Sequence, residues 1–455
     1  MNFLRRQNPV GPGKTWKVGT LTYTAGGLVV LFFWLLLGDF AWSIKQRAVD
    51  PVAQLLLKKH EATDILVGIL VGSVPSALGM LLGPVVGVLS DRHRGRRGRR
   101  IPFLLLPTPF AALSMAGVAF TPLIGRWLNT ALGEHSPGEN ACVVLVFAVF
   151  WVIFEFATTI ANAVFTALIN DVVPQQLLGR FFGLFRAISL LAGILFNLVL
   201  MGKAESHYME IFLGLGLFYG IGFTVMCLKV TEGDYPPPPE RAPNPWRGIL
   251  QYLRESFTHP YYLWVFLAMA LAILSFGPVN SFSVFYARSI GVGMDDYGRY
   301  LAITYLVSLV ISYTLGSLAD RFHPLRMAIG AMVGYALVAL YGWIFARSQG
   351  TFAVLFILHG VLSGIYLTGA ASLGQRLFPK AQFAQFASAA GILASVCYMI
   401  LPPAVGLVLE MTGHQYHLTF LMGGLLAIIS VAVLLVVYRK FLALGGDADY
   451  EAPTP

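Results

Sequence analysis

Three ionisable side chains lie inside long apolar stretches of the sequence: Asp39 in the first stretch, Glu155 in the fourth and Arg186 in the fifth. Ionisable groups are costly in the hydrocarbon interior of a membrane, so their presence there indicates function by default. A carboxyl group can carry a proton if burial raises its pKa and a neighbouring cation lowers it again. We therefore predict that Asp39 or Glu155 takes up the proton and that Arg186 is the neighbouring cation. The alternative is a static buried ion pair that fixes helix packing.

Helical spacing extends two of these positions into polar stripes, because residues three or four apart lie on the same face of a helix. The stripes comprise Asp39, Ser43, Gln46 and Asp50 in the first stretch and Glu155, Thr159, Asn162, Thr166 and Asn170 in the fourth. Lipid cannot solvate such stripes, so they should face a water-filled cavity or a partner helix. We predict that Ser43, Gln46, Thr159 and Asn162 contact a substrate.

The second half of the chain offers neutral polar groups, with almost no acidic residue in its apolar stretches before Glu410. The Gly277-Pro278 pair should free backbone groups that can line a cavity. The residues predicted to contact the substrate here are Asn280, Tyr300, Thr304, His359 and Tyr366. Neutral donors and aromatic faces suit a polyhydroxylated ligand, although tyrosines in membrane helices also serve as packing anchors. We expect His359 to be held by hydrogen bonds rather than to relay a proton.

Lys45, Arg47 and Asp50 follow the apolar core of the first stretch and allow two interpretations. If the helix continues past Pro51, these charges line an outer vestibule and favour an anionic substrate. If the helix ends there, they are ordinary loop charges. We favour the second interpretation.

Membrane helices must position all of these groups. The chain has 455 residues, of which 57% are hydrophobic and 12% charged, whereas a soluble domain is about a quarter charged. A stretch of about eighteen apolar residues can cross the hydrocarbon core and must be helical, because its backbone polar groups need internal partners. The predicted spans are 26–50, 64–90, 101–124, 142–169, 181–202, 209–229, 261–287, 298–319, 327–347, 352–374, 386–410 and 418–438.

An internal repeat divides the chain into two halves. Gly87-Val-Leu-Ser-Asp91-Arg92 follows the second predicted span, and Gly316-Ser-Leu-Ala-Asp320-Arg321 follows the eighth. Duplicated halves are a common plan among transporters. We predict an all-α fold of about twelve transmembrane helices in two six-helix bundles around a central cavity. The predicted units are a first bundle (1–229), a cytoplasmic linker with four consecutive prolines (230–258), a second bundle (259–438) and a cytoplasmic tail (439–455).

The distribution of positive charge predicts the orientation. With the N-terminus inside, the cytoplasmic segments hold 21 of the 31 lysines and arginines, including the six arginines from Arg92 to Arg100. This bias predicts that both termini lie in the cytoplasm. We expect the protein in the plasma membrane. The same basic loops account for the formal net charge of +9, so we expect the lipid bilayer and no nucleic acid as a partner.

The two repeated segments resemble the signature between spans 2 and 3 of the major facilitator superfamily, Gly-x-x-x-Asp-Arg followed by basic residues. In that family the segment forms a cytoplasmic latch that breaks during transport. The resemblance implies that the cytoplasmic gate comprises Gly87, Asp91, Arg92, Arg99, Arg100, Asp171, Arg180, Asp320 and Arg321. The alternative is a basic loop that only sets the orientation, and the two roles are compatible.

The first loop, Ser90 to Phe103, is similar to the Ser-Asp-Arg…Gly-Arg-Arg-x-Pro-Phe segment of the sucrose/proton symporters and their bacterial relatives. Gly38-Asp39-Phe40 and the segment from Asp171 to Arg180 also resemble that group and the neighbouring glycoside–pentoside–hexuronide symporters. Sodium-coupled members carry acidic residues in span 2 just before the proline that matches Pro84. No acid stands at 76–83 here, so the resemblance favours a proton as the coupling ion.

Signals for other functions are incomplete. Gly13-Lys14-Thr15 lacks the first glycine of a phosphate-binding loop, and His60-Glu61 lacks the second histidine of a zinc helix. The three cysteines, Cys142, Cys227 and Cys397, form no metal-binding or disulfide pattern. We expect no enzyme activity, no cofactor and no metal site.

The resemblance implies a monomeric secondary transporter that moves a sugar or glycoside together with a proton by alternating access. Two alternatives remain open. One is an exporter of amphipathic compounds or drugs by proton antiport, which needs a large apolar cavity with few hydroxyl partners. The other is a transport-inactive sensor with the same fold.

Overall fold

A computed structural model describes residues 15–235, 252–379 and 382–453. The run from Pro236 to Pro239, most of the predicted linker and Gly13-Lys14 lie outside the described residues. A short hairpin of β1 (Trp16–Val18) and β2 (Leu21–Tyr23) precedes the first long helix.

Twelve long helices form the described part of the chain. They are α1 (Ala25–Lys59), α2 (Asp64–Arg92), α3 (Ile101–Ala119), α4 (Glu139–Val172), α5 (Gln175–Val199), α6 (Tyr208–Lys229), α7 (Pro260–Ser289), α8 (Met294–Phe322), α9 (Pro324–Phe345), α10 (Gln349–Gly369), α11 (Phe383–Met411) and α12 (Leu418–Ala443). Eleven of these are long and apolar enough to cross a membrane, counting α10 together with the helical turn Leu373–Leu377 that follows it. The twelfth, α8, has 29 residues and carries its charges at its ends. The predicted all-α membrane fold is confirmed.

The first helix is longer than predicted. It continues through Pro51 to Lys59, although proline removes one backbone hydrogen bond from a helix interior. Burial of the following turn, from Val52 to Leu57, compensates for this loss. The interpretation of Lys45, Arg47 and Asp50 as loop charges is therefore wrong, because all three lie on a continuous helix. The third span differs too: α3 ends at Ala119, and a separate helix covers Thr121–Leu132.

The helices pack mainly within each half of the chain. In the first half α1 packs against α5 and α6, and α3 and α2 pack against α4. In the second half α7 packs against α11 and α12, and α10 packs against α8 and α9. Buried aromatic residues such as Trp151, Phe223 and Phe420 fill the interfaces. This arrangement matches two helical bundles.

Two helix pairs, α2–α11 and α5–α8, join the halves. Their contacts require glycine: a Cβ on Gly68 would lie 2.7 Å from the backbone of Pro402, and a Cβ on Gly298 would lie 2.2 Å from the carbonyl oxygen of Asn197. These contacts involve the start of α2 and α8 and the end of α5 and α11. By chain order, this is the end of the molecule opposite the chain termini. The halves therefore close the structure at that end.

Candidate functional site

A cavity of about 500 Å³ lies between the halves. Its wall is made by α1, α2, α5, α7, α8, α10 and α11. The polar side chains on this wall are Gln46, Arg47, Asp50, Gln54, Arg186, Asn280, Ser281, Ser283, Tyr297, Thr304, Tyr305, Ser308, His359, Ser363 and Tyr398. Hydroxyl, amide and charged groups from both bundles thus face one space, as a polar ligand would require.

The structure brings five of the predicted site residues together on this wall: Gln46, Arg186, Asn280, Thr304 and His359. Seven others lie elsewhere, namely Asp39, Ser43, Glu155, Thr159, Asn162, Tyr300 and Tyr366. Tyr366 is buried and packs against Phe276 instead. The predicted roles of all twelve remain predictions.

Asp39 is fully buried within the first bundle. Its Oδ1 accepts a hydrogen bond from Ser43 Oγ at 3.2 Å, one helical turn away. Its Oδ2 is buried without a hydrogen-bond partner among the described residues. The neighbouring Gly38 packs against Met226, where an added Cβ would lie 2.9 Å from the Met226 side chain. Asp39 therefore does not line the cavity.

Glu155 faces a cation that the sequence analysis did not assign to it. The buried Lys45 side chain of α1 interacts electrostatically with Glu155 and with Asp50. Its Nζ atom lies 4.1 Å from the ring centre of Trp42 and 5.0 Å from that of Phe154. The absence of a helix stop before Pro51 was the signal that could have identified this cluster.

Arg186 has different neighbours from those predicted. Its Nη2 donates a hydrogen bond to Thr368 Oγ1 on α10 at 3.2 Å, and its Nε is buried without a partner among the described residues. The charged group that acts on Arg186 is another guanidinium, that of Arg47. Arg47 in turn lies over the ring of Tyr305, 4.7 Å from its centre. The two arginines thus share one region of the cavity wall.

His359 links the cavity to a buried network in the second bundle. Its Nε2 lies 3.0 Å from Asn280 Oδ1, and its Nδ1 lies 3.0 Å from Tyr335 Oη. The Tyr335 hydroxyl donates to the carbonyl oxygen of Ser275 at 3.1 Å. The side-chain oxygen of Asn280 can only accept, so His359 Nε2 carries the ring proton and donates to it. Nδ1 of the neutral ring is then an acceptor, and the single Tyr335 hydroxyl proton is shared between it and the carbonyl oxygen of Ser275.

Four predicted gate residues form one network at the end of the molecule where the chain termini lie. Arg99 donates to both carboxylate oxygens of Asp171, from Nη2 at 2.8 Å and from Nε at 3.0 Å. Arg100 Nε donates to Asp171 at 2.9 Å, and its Nη2 also donates to Asp91. The network ties the α2–α3 loop to the end of α4.

The remaining predicted gate residues stand apart from this network. Arg92 and Arg180 have no ion-pair partner among the described residues, and a Cβ on Gly87 would meet open space. Arg321 lies 5.5 Å from the ring centre of Phe322. The side chain of Asp320 lies outside the described part, so the second copy of the signature stays a prediction.

Sequence analysis missed Glu232, which docks on the same loop. Its carboxylate accepts hydrogen bonds from the backbone N–H groups of Arg99, Arg100 and Ile101, at 3.0, 2.8 and 2.8 Å. Glu232 thereby caps the start of α3, where backbone donors lack helical partners. The ring of Tyr235 lies 4.0 Å from the guanidinium carbon of Arg99. Burial and the nearby Glu232 carboxylate raise the pKa of Tyr235.

A second cluster that the sequence analysis missed joins the halves at the closed end. The buried Asp64 carboxylate of α2 accepts from Lys58 Nζ at 2.5 Å, from His414 Nδ1 at 2.7 Å and from the Tyr416 hydroxyl at 3.3 Å. Glu410 Oε1 on α11 accepts from the backbone N–H of Ile65 at 2.9 Å. Lys58 and Asp64 belong to the first bundle. Glu410 lies in the last turn of α11, and His414 and Tyr416 follow that helix. We call these residues the Asp64 cluster.

Comparison with known proteins identifies the family. The family described as MFS/sugar transport protein matches residues 56–381. The uncharacterized MFS-type transporter YxiO of Bacillus subtilis (strain 168) is 22% identical over 354 residues, which are 75% of this chain and 77% of that protein. The sucrose transport protein SUT1 of Oryza sativa subsp. japonica is 26% identical over 137 residues, which cover 29% of this chain and 24% of SUT1.

Solved structures share the fold at low sequence identity. A bacterial homologue of the iron transporter ferroportin in its inward-facing state has a TM-score of 0.65, with 16% identity over 90% of this chain and 99% of that chain. A D-xylose-proton symporter has a TM-score of 0.59, with 14% identity over 90% and 96%. These proteins are membrane transporters rather than enzymes. The predicted superfamily is thus confirmed, and the chain belongs to the MFS/sugar transport protein family.

Proposed function

We propose that this transporter moves a sugar or glycoside into the cytoplasm together with a proton. The observation that carries this proposal is the polar cavity between the halves, whose wall combines side-chain amides, hydroxyls and charges from both bundles. The names of two similar proteins, a sucrose transport protein and a D-xylose-proton symporter, support the same substrate class and coupling ion.

The state described here corresponds to a transporter closed towards the outside. With the basic α2–α3 loop in the cytoplasm, as the loop charges predict, the Asp64 cluster lies at the outer end. We propose that the cavity is reached from the cytoplasmic side, because the halves are joined at the opposite end. Rocking of the bundles would open the outer end and expose the same site to the other side of the plasma membrane.

Proton coupling is assigned to the charges beside the cavity. The ammonium group of Lys45 acts electrostatically on both Glu155 and Asp50, so a proton on Glu155 would change how strongly Lys45 attracts Asp50 on the wall. Asp39 is a second candidate, because one of its carboxylate oxygens has no hydrogen-bond partner among the described residues. A proton on Glu155 would thus change the charge balance at the cavity wall, whereas a proton on Asp39 would neutralise a charge buried within the first bundle.

Uptake by purified protein in proteoliposomes tests the proposal. A panel of radiolabelled sugars and glycosides is supplied with and without an inward proton gradient. Accumulation that requires the gradient supports proton symport. Extrusion of amphipathic dyes instead would favour the exporter, although the hydroxyl groups of Thr304, Ser308 and Ser363 on the wall argue against an apolar cargo. Ligand binding without movement would identify a sensor.

A further inference from the structure

Two guanidinium groups on the cavity wall form no ion pair within the described part of the chain. Arg47 on α1 and Arg186 on α5 both line the cavity and repel one another. Within the described part of the chain, Arg47 contacts the ring of Tyr305 but has no hydrogen-bond or ion-pair partner. Arg186 donates to the neutral Thr368, and its buried Nε donates to no group of the described chain.

The carboxylates near these arginines already have other partners. Asp50 and Glu155 both interact with Lys45. Asp39 accepts from Ser43 and does not line the cavity. Two like charges in a low-dielectric interior are unfavourable unless an opposite charge joins them. Because the pair faces a cavity large enough for a small molecule, the ligand itself can supply that charge.

We propose that the transported molecule carries an acidic group, a carboxylate or a phosphate, which binds between Arg47 and Arg186. Arginine suits this role because its planar fork of donors pairs with two oxygens of such a group. The arginines come from the first bundle, whereas the neutral groups Asn280, Thr304 and His359 come from the second. The ligand therefore presents its acidic end to the first bundle and its hydroxyl groups to the second. The sugar part of this assignment rests on the proposed function, but the anion site does not.

Three sugars that differ only at C6 test the substrate class. A hexose, its hexuronic acid and its 6-phosphate are compared for uptake into proteoliposomes containing the full chain. We expect the carboxylate or the phosphate form to be transported roughly ten- to a hundredfold better than the neutral form, since two charge-assisted contacts are gained. Arg186→Gln and Arg47→Gln should each remove this preference, and Arg126→Gln, at an exposed ion pair with Glu139, should keep it. Equal or better transport of the neutral hexose by the natural protein would refute the proposal.

A second measurement isolates the anion site from sugar transport. Thermal unfolding of the detergent-purified protein is followed with inorganic phosphate and with chloride at matched ionic strength. Phosphate should raise the Tm of the natural protein and of Arg126→Gln, but not that of Arg47→Gln/Arg186→Gln. A phosphate effect that is absent, or that survives in the double variant, overturns the anion site. If no sugar is transported and the arginine-dependent effect persists, the sugar function fails while the acidic ligand stands. Arg47→Lys/Arg186→Lys, which keeps both charges, controls for misfolding and should retain part of the effect.

Discussion

Lys45 supplies a positive charge that stabilises the ionised forms of the Glu155 and Asp50 carboxyl groups. An isolated carboxylate in the membrane interior would be very costly, whereas Glu155 and Asp50 share a lysine whose own ammonium lies over the rings of Trp42 and Phe154. Aromatic faces stabilise a cation without neutralising it. Lys45 can therefore respond to the protonation of either carboxyl group, which makes this cluster the best candidate for coupling.

We expect Glu155→Gln to abolish gradient-driven accumulation, because glutamine cannot release a proton. The same variant should still exchange labelled for unlabelled substrate across proteoliposomes, since exchange needs no net proton movement. Asp39→Asn is predicted to lose accumulation as well. Glu134→Gln, at an exposed turn, is the control. Normal accumulation in both Glu155→Gln and Asp39→Asn would show that the coupling group lies elsewhere.

Tyr335 positions His359 and, through it, Asn280. Tyr335→Phe removes the partner of His359 Nδ1 and releases the constraint on the Asn280 amide. We expect the KM for transport to rise about tenfold, as for one lost hydrogen bond, with little change in the maximal rate. Tyr286→Phe is a matched control, because it removes a buried tyrosine hydrogen bond to Ala346 away from the cavity. Equal KM effects in the two variants would argue against positioning.

At the scale of helices, the contact between α2 and α11 closes the end opposite the chain termini, which is the outer end in the proposed orientation. Gly68 and Gly72 let α2 approach Pro402 closely, and the Asp64 cluster adds a buried carboxylate with partners from both halves. Removing one member of such a buried pair costs about 3–5 kcal/mol. The cost falls on the closed state, because opening the outer end separates these groups.

Asp64→Asn should therefore open the outer end more often. In a background without the native cysteines, a Gln54→Cys reporter on the cavity wall would react with a membrane-impermeant reagent supplied outside. We expect the rate to rise at least tenfold, since a shift of about 1.4 kcal/mol suffices. Glu61→Gln is the control, because the Glu61 side chain bonds to Asn140 of its own bundle and to no other described residue. An unchanged rate would exclude Asp64 from the outer gate.

The α2–α3 loop depends on a residue that follows α6. Glu232→Gln replaces the carboxylate that caps α3 with a neutral amide. We expect the free energy of unfolding to fall by about 1–2 kcal/mol, as for a lost helix cap. Thermal unfolding in detergent measures the change. Asp234→Asn is the control, because Asp234 bonds to Thr20 through its backbone N–H rather than its side chain. This variant should leave the free energy of unfolding unchanged.

For the whole molecule, orientation decides which end is the inner gate. Single cysteines at Arg96, in the basic loop, and at His135, between α3 and α4, lie on opposite ends of the helices. An impermeant thiol reagent should label the Arg96→Cys variant only in inside-out vesicles and the His135→Cys variant only in intact cells. The reverse labelling pattern would show that the end joined by the Asp64 cluster faces the cytoplasm rather than the outside.

The sequence alone determined the class of the molecule. Long apolar stretches can only be membrane helices, because backbone groups have no water to bond in lipid. The duplicated Gly-x-x-x-Asp-Arg segments indicated the superfamily, because a motif and its position along the chain can both be seen in the sequence. The same local signals pointed to Asp91, Arg99, Arg100 and Asp171, which the structure joins in one network.

The tertiary structure decided which polar groups meet. Arg186 lies beside Arg47, because α1 packs against α5, and beside Thr368 of the second half rather than a carboxyl group. Glu155 of α4 acts on Lys45 of α1. Spacing within one helix cannot specify such neighbours. Asp64 is separated by about 350 residues in sequence from His414 and Tyr416, and it meets them where α2 reaches the end of α11. Helical periodicity identifies the face on which a side chain lies, but the partner on the other side of that face depends on the packing of the bundles.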